Sequence, residues 1–158
     1  MRYRIIAIGP LKKRFYLEGC RHFLQRLQPL AATEIIELKS TRGRRAATIR
    51  SLESEALLKH VHHSGAARGH LVALDEDGTP YRSLALARHI DDLESRGIKQ
   101  LNLLLGGAEG HAPELLAQTH ERWRLSNLTL PHQLARLLLL EQLYRVETIR
   151  AGHPYHRE

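Results

Sequence analysis

Cysteine, methionine and tryptophan each occur once in this 158-residue chain, and phenylalanine only twice. The lone thiol, Cys20, excludes an internal disulfide and any metal site built from several cysteines. It falls on an apolar helical stripe with no activating base in view, which points to core packing, and a reducing, cytoplasmic setting fits it. Long apolar runs are missing too. The quartet Leu137 to Leu140, bounded by Arg136 and Glu141, is as long as any, and a membrane-spanning helix needs about 20 apolar residues. The short apolar stretch after Arg4 cannot serve as the core of a secretion signal, so the protein is expected to stay where it is made. Acidic residues are scarce as well: 17 of them face 24 lysines and arginines, a formal charge of +7. Arginine supplies most of it, and its planar fork grips phosphate in a bidentate way. Such an excess favours a polyanionic partner, although a soluble basic protein without one has the same composition.

Short β-rich runs alternate with amphipathic ones along the chain. Arg4 to Ile8 reads as a strand that ends at Gly9-Pro10, and Lys13 to Leu27 as a helix with Phe15, Cys20, Phe23, Leu24 and Leu27 near one stripe. Thr33 to Leu38 is a second strand. Ser40 to Arg45 is a polar, basic loop, and Ala46 to Val61 a helix. His70 to Leu74 is a third strand, closed by the turn-rich Asp75 to Pro80. Ser83 is placed to cap a helix through Ser95, stopped by Gly97. Gln100 to Leu105 is a fourth strand, and its Leu103-Leu104-Leu105 run suits a parallel strand buried on both faces. Pro113 opens a short helix, Trp123 to Leu130 is mostly extended, and His132 to about Ile149 is the last helix. The alternation predicts one α/β domain over residues 1–158, with a mostly parallel sheet and helices on both faces.

Three polar elements crowd the C-terminal third. Gly106-Gly107-Ala108-Glu109-Gly110 follows a buried strand and precedes a helix, where ligands of open α/β sheets collect. It is either a ligand loop or an ordinary tight turn, and it is not the dinucleotide fingerprint. Leu125 to His132 offers backbone amides and carbonyls to an adenine edge and hydroxyls at Ser126 and Thr129. Alternatively it only caps the next helix, with Leu128 and Leu130 in the core. That helix carries leucine on every side, so one face is expected to meet a second subunit. Glu141 and Arg145 stand four residues apart on it, as a local ion pair or with Arg145, like Arg136, turned to RNA phosphate. The tail His153-Pro154-Tyr155-His156-Arg157-Glu158 puts a stacking ring, two imidazoles and an arginine together, which suits an unpaired base and its phosphate, though a frayed basic end also looks like this. His60, His62, His63 and His70 lack a cysteine partner or a His-Glu-x-x-His helix, so no metal is expected.

In order and spacing, Leu104 to Gly110, Leu125 to His132, Glu141 to Arg145 and Tyr155 to Glu158 resemble the bacterial ribosomal RNA large subunit methyltransferase H family. The likeness covers essentially the whole chain and is loosest in the N-terminal half. It implies a SPOUT-type fold with a C-terminal trefoil knot, S-adenosylmethionine as cofactor, and methylation of a pseudouridine at N3 in 23S rRNA of assembled ribosomes. It also implies a homodimer in which one subunit's tail completes the other's site. The cofactor residues it implies are Leu74, Gly106, Gly107, Leu125, Asn127, Leu128, Thr129, Leu130, Pro131 and His132. It places His153, Tyr155, His156 and Arg157 toward the target nucleotide and makes Arg145 a helper, so that Tyr155, His156, Arg157 and Arg145 are the catalytic candidates; Arg136, read from the helix itself, joins His153 and Tyr155 as a substrate contact. Of the catalytic candidates, His156 is the candidate base and the arginines are candidate partners for the ionised imide. Ala108 stands where some relatives have proline. A non-catalytic RNA-binding factor is the competing reading, and it has no need of the glycine turn or of the Asn127 to His132 loop.

Overall fold

The computed structural model describes residues 1–63, 69–153 and 155. Five strands form one parallel sheet in the order β2-β1-β4-β3-β5, with β1 Arg2–Ile8, β2 Thr33–Leu38, β3 His70–Pro80, β4 Gln100–Leu105 and β5 Glu121–Arg124. The helices are α1 Arg14–Leu27, α2 Ala46–His63, α3 Ser83–Ser95, α4 Pro113–Leu116 and α5 His132–Arg150. No helix among the described residues is long and apolar enough to cross a membrane.

Side chains alternate across the central strands and so divide the core in two. Tyr3, Ile5 and Ala7 of β1, with Leu101, Leu103 and Leu105 of β4, pack against α1, α3 and α5. Ile6, Ile8 and Leu104 face the other way and meet Leu57 and Val61 of α2 and Leu115 of α4. Both faces of β4 are therefore covered, as its unbroken leucines require. Cys20 is buried in the first cluster, and burial pushes its thiol up to about 11, so it stays protonated.

The structure departs from the sequence reading in three places. Pairing along β3 does not end at Leu74: Leu74 and Thr79 both pair with Trp123, and residues 75–78 bulge out between them. Gly78 makes this fit, because a Cβ there would lie 2.6 Å from the carbonyl carbon of Trp123. The extended run from Trp123 is a strand only to Arg124, beyond which the Ser126 hydroxyl takes the Leu128 N–H at 2.9 Å and turns the chain. Ser83 does not cap its helix, since its hydroxyl donates to Gln142 Oε1 on α5 at 2.8 Å.

Helix α5 lies across the sheet between α1 and α3. Its first turn is fixed over the sheet's carboxyl end by Gln133, which accepts the Lys12 N–H at 3.0 Å, and by Arg136, which donates to the Gly9 carbonyl at 2.7 Å and pairs with Glu37. Leu139, Leu140 and Leu143 are buried within the chain, whereas Leu134, Leu137 and Leu138 are only half-buried.

Candidate functional site

At the carboxyl ends of β3, β4 and β5 the chain leaves a cleft of about 910 Å³. One wall is the turn 106–110. Gly107 and Gly110 bridge each other, and Gly110 takes the left-handed conformation that closes the turn, with φ +73. The turn is also pressed onto α2. A Cβ on Gly107 would collide with the Glu53 carboxylate, so glycine here answers to the protein's own packing behind the cleft.

Glu53 is 3% exposed. Its Oε1 accepts the Thr41 N–H at 2.8 Å, while Oε2 has no hydrogen-bond partner. Burial raises its carboxyl above the usual value, and Glu109 adds to the rise. One residue on, the Ser54 hydroxyl accepts the Ala112 N–H at 2.8 Å. Two adjacent residues of α2 thus meet this segment, Glu53 packed against Gly107 and Ser54 bonded to Ala112 just past the turn.

The opposite wall is the loop from Leu125 to Pro131 and the first turn of α5. Leu125, Leu128, Thr129, Leu130, Pro131 and His132 all line the cleft. Leu128 is 77% exposed, so it is a lip of the cleft and not the core residue that the helix-capping alternative required. Burial, then the Arg136 and Lys12 cations, lower the His132 pKa, leaving a neutral imidazole at the helix start. The floor holds Leu74, Leu105, Trp123 and His111. The His111 ring is buried facing the Leu74 and Leu104 carbonyls without closing a well-formed hydrogen bond, and burial lowers its pKa. Asp75, Glu76 and Asp77, on the β3 bulge, bring carboxylates to the cleft, and Arg50 and Arg124 bring cations.

Behind the floor, Glu121 gathers three donors. His70 Nε2 lies 2.6 Å from one carboxylate oxygen, and His89 Nε2 and Trp123 Nε1 lie 2.7 Å from the other. Burial alone would raise this carboxyl, but these bonds outweigh it and hold the group below its usual value. Tyr81 stacks on His89 at 5.1 Å and meets Trp123 edge-on.

Most of the sequence-derived residues converge. Leu74, Gly106, Gly107, Leu125, Leu128, Thr129, Leu130, Pro131 and His132 surround the cleft. Asn127 stands exposed in the same loop but does not line it. Arg136 is a correction: it is 1% exposed and committed to Glu37 and Gly9, so it does not reach a nucleotide in this chain. Arg145 holds Glu141 Oε1 through Nε at 2.9 Å and Nη2 at 2.6 Å, the local ion pair that its spacing allowed. Tyr155 packs edge-on against Tyr144 at 4.7 Å, with Arg145 over its ring at 4.8 Å. His153 lies beside them, in a small cavity of about 320 Å³ with Arg26. His156 and Arg157 lie outside the described residues. Among the described residues, no three His, Cys, Asp or Glu side chains come together in a way that could hold a metal ion.

The sequence reading did not single out Arg50, Glu53, Asp75 to Asp77, His111, Trp123 or Arg124 as site residues. The signal that was available was local: Asp75 to Asp77 and Arg124 adjoin the ends of strands, where ligands gather.

The family model described as "Predicted SPOUT methyltransferase" matches residues 1–156. A ribosomal RNA large subunit methyltransferase H from Pseudomonas paraeruginosa is 40% identical over 162 residues, covering 99% of this chain and 100% of that protein. Its namesake from Pseudomonas fluorescens is 41% identical with the same coverage. Among solved structures, a probable methyltransferase from Bordetella pertussis superposes with a TM-score of 0.54 over 92% of this chain and 96% of its own, at 16% identity, a likeness of fold. The helix-flanked parallel sheet, the cleft at its carboxyl edge and the full-length match agree: this chain belongs to the SPOUT methyltransferase family.

Proposed function

We propose that the cleft binds S-adenosylmethionine and that the protein, a single-domain cytoplasmic enzyme, methylates N3 of a pseudouridine in 23S rRNA of the assembled ribosome. The relatives' printed names supply the large-subunit rRNA. The resemblance supplies the nucleoside, the cofactor and a knotted C-terminal segment containing the 125–131 loop and α5.

The residues present fit the cofactor. A volume near 910 Å³ is ample for an adenosyl amino acid. Leu74, Leu105, Leu125 and Leu130 offer apolar contact to a base, and the backbone of the 125–131 loop offers donors and acceptors to its edge. Asp75, Glu76 and Asp77 put negative charge where a cationic ligand gains from it. When bound, S-adenosylmethionine supplies a methyl carbon already activated by its sulfonium. The chain's part is to hold the target nitrogen in line with that carbon and to favour the ionised imide. His156 is the proposed proton acceptor. Arg157 and Arg145 are the proposed cations, with Tyr155 and His153 against the nucleotide.

One observation carries the dimer: Tyr155 docks at Tyr144, twelve residues beyond His132 on α5. At 1.5 Å per residue that is about 18 Å along the helix, so Tyr155 lies far from its own chain's cleft loop. This separation supports a tail that serves a neighbour's cleft. The half-buried Leu134 and Leu138 give α5 apolar surface for that neighbour, while Leu137 beside them packs on Gly19 of α1.

Calorimetry with S-adenosylmethionine, and mass spectrometry of 23S rRNA from cells lacking the protein, test the reading. Binding of the donor and the loss of one methyl from a pseudouridine are expected. No donor binding, or an unchanged rRNA, overturns it. A non-catalytic RNA-binding factor would have no use for the cleft.

A further inference from the structure

The α2 side of the cleft carries a strip of arginines that methyl transfer leaves unused. Arg42, Arg44 and Arg45 stand in the loop before α2, and Arg50 follows one turn into the helix; all four are exposed. Arg50 also lines the cleft, as does Arg124, whose buried Nε has no hydrogen-bond partner. None of these five pairs with a carboxylate among the described residues, whereas Arg4, Arg14, Arg136, Arg145 and Arg150 each hold one.

The strip is tied to the site. Thr41, at the head of the loop, is held by Glu53, the same carboxylate that backs Gly107. The basic loop and the glycine turn thus meet the same side chain of α2. The loop also sets three cations at the positive end of α2, whose first turn contains no acid. Those charges repel one another and the helix dipole until an anion arrives. A row of guanidinium forks leading to a cleft matches a row of phosphates better than scattered carboxylates.

We infer that the RNA backbone enters the cleft along Arg42, Arg44, Arg45 and Arg50, with Arg124 as a further phosphate contact at the mouth. This rests on the proposed RNA substrate and names the surface that receives it.

The test is the triple variant R42Q/R44Q/R45Q beside a charge-matched control, R88Q/R96Q/K99Q. The control residues lie on α3 and the turn after it, against the opposite face of the sheet. Anisotropy of a fluorescein-labelled 20-nucleotide RNA is followed from about 50 to 200 mM salt, where counterion release dominates. Calorimetry with S-adenosylhomocysteine and tritiated methyl transfer to 70S ribosomes accompany it. The strip variant is expected to lose roughly tenfold or more in RNA affinity at low salt, and its salt slope to fall by about one per lost phosphate contact. Its affinity for S-adenosylhomocysteine stays within about twofold, because none of the three residues lines the cleft. Unchanged RNA affinity and slope overturn the inference, and so does an equal loss in the control, which would reflect net charge alone. The RNA arm needs no turnover, so failure of methyl transfer in the wild type would count against the proposed function and leave this surface separately decided.

Discussion

Gly107 lies with its α-carbon against the Glu53 carboxylate, leaving no room for a side chain between the glycine turn and α2. Gly107→Ala is expected to destabilise the protein by about 1–3 kcal/mol, the usual cost of overpacking. In a Glu53→Ala background only the Ile8 methyl, 3.3 Å from such a Cβ, still crowds it, and less than half of that penalty should remain. Chemical denaturation of the four members of this cycle measures the coupling. Additive losses would show that the two residues do not press on each other.

The sheet was largely legible in the sequence because its strands carry period-two or continuous apolar runs bounded by Gly, Pro and polar turns. Gln100 to Leu105 and Thr33 to Leu38 are strands over the expected residues. The cleft was legible only where one segment supplies it. The glycine turn and the 125–132 loop announce themselves locally. Arg50 and Glu53 come from a helix whose place beside β4 depends on the strand order, and periodicity does not encode strand order. Arg136 misled for the same reason. A polar residue among leucines reads as exposed unless its partners, Glu37 and the Gly9 carbonyl, can be seen about a hundred residues earlier.

Acid should weaken the fold through the buried His111 and the half-buried His132. Burial lowers His111 and His132 from the ordinary 6.5, so the fold prefers both rings neutral. Below about 6.5 the unfolded chain takes up protons that the fold refuses. Their stabilising contribution is complete above that value and is lost as pH falls through the lowered pKa. Glu53 acts in the opposite sense: its raised carboxyl favours the neutral form, a contribution present below the ordinary 4.5 and lost as pH rises through the raised pKa. Melting temperatures from about pH 8 to 5 should therefore fall, and the fall should be shallower in His111→Gln, whose amide can donate to the same two carbonyls. Identical slopes would clear His111 of the effect.

Glu121 should govern the only tryptophan. Glu121→Ala strands the buried Trp123 indole N–H together with the His70 and His89 donors, and is expected to cost about 1–3 kcal/mol. Because Trp123 is the chain's one tryptophan and lines the cleft, its emission reports the change directly. A red-shifted maximum and greater access to iodide are expected, together with weaker donor binding. A variant with unaltered emission would mean that packing alone, through Tyr81 and the Gly78 backbone, sets the ring.

The distance between Tyr155 and the cleft loop of its own chain makes the composite site open to a mixing experiment. Thr129→Trp blocks the cleft from an exposed loop and spares the fold. Tyr155→Ala with Arg157→Ala disables the tail. Each variant alone should be inactive, since every site in either homodimer has one damaged half. After subunit exchange, half of the dimers are mixed, and in each mixed dimer one cleft and one tail are both intact. Activity should therefore return to about a quarter of the wild-type value. If the tail instead folded back to its own cleft, the mixture would hold only sites damaged in one part or the other, and it would remain as inactive as its components.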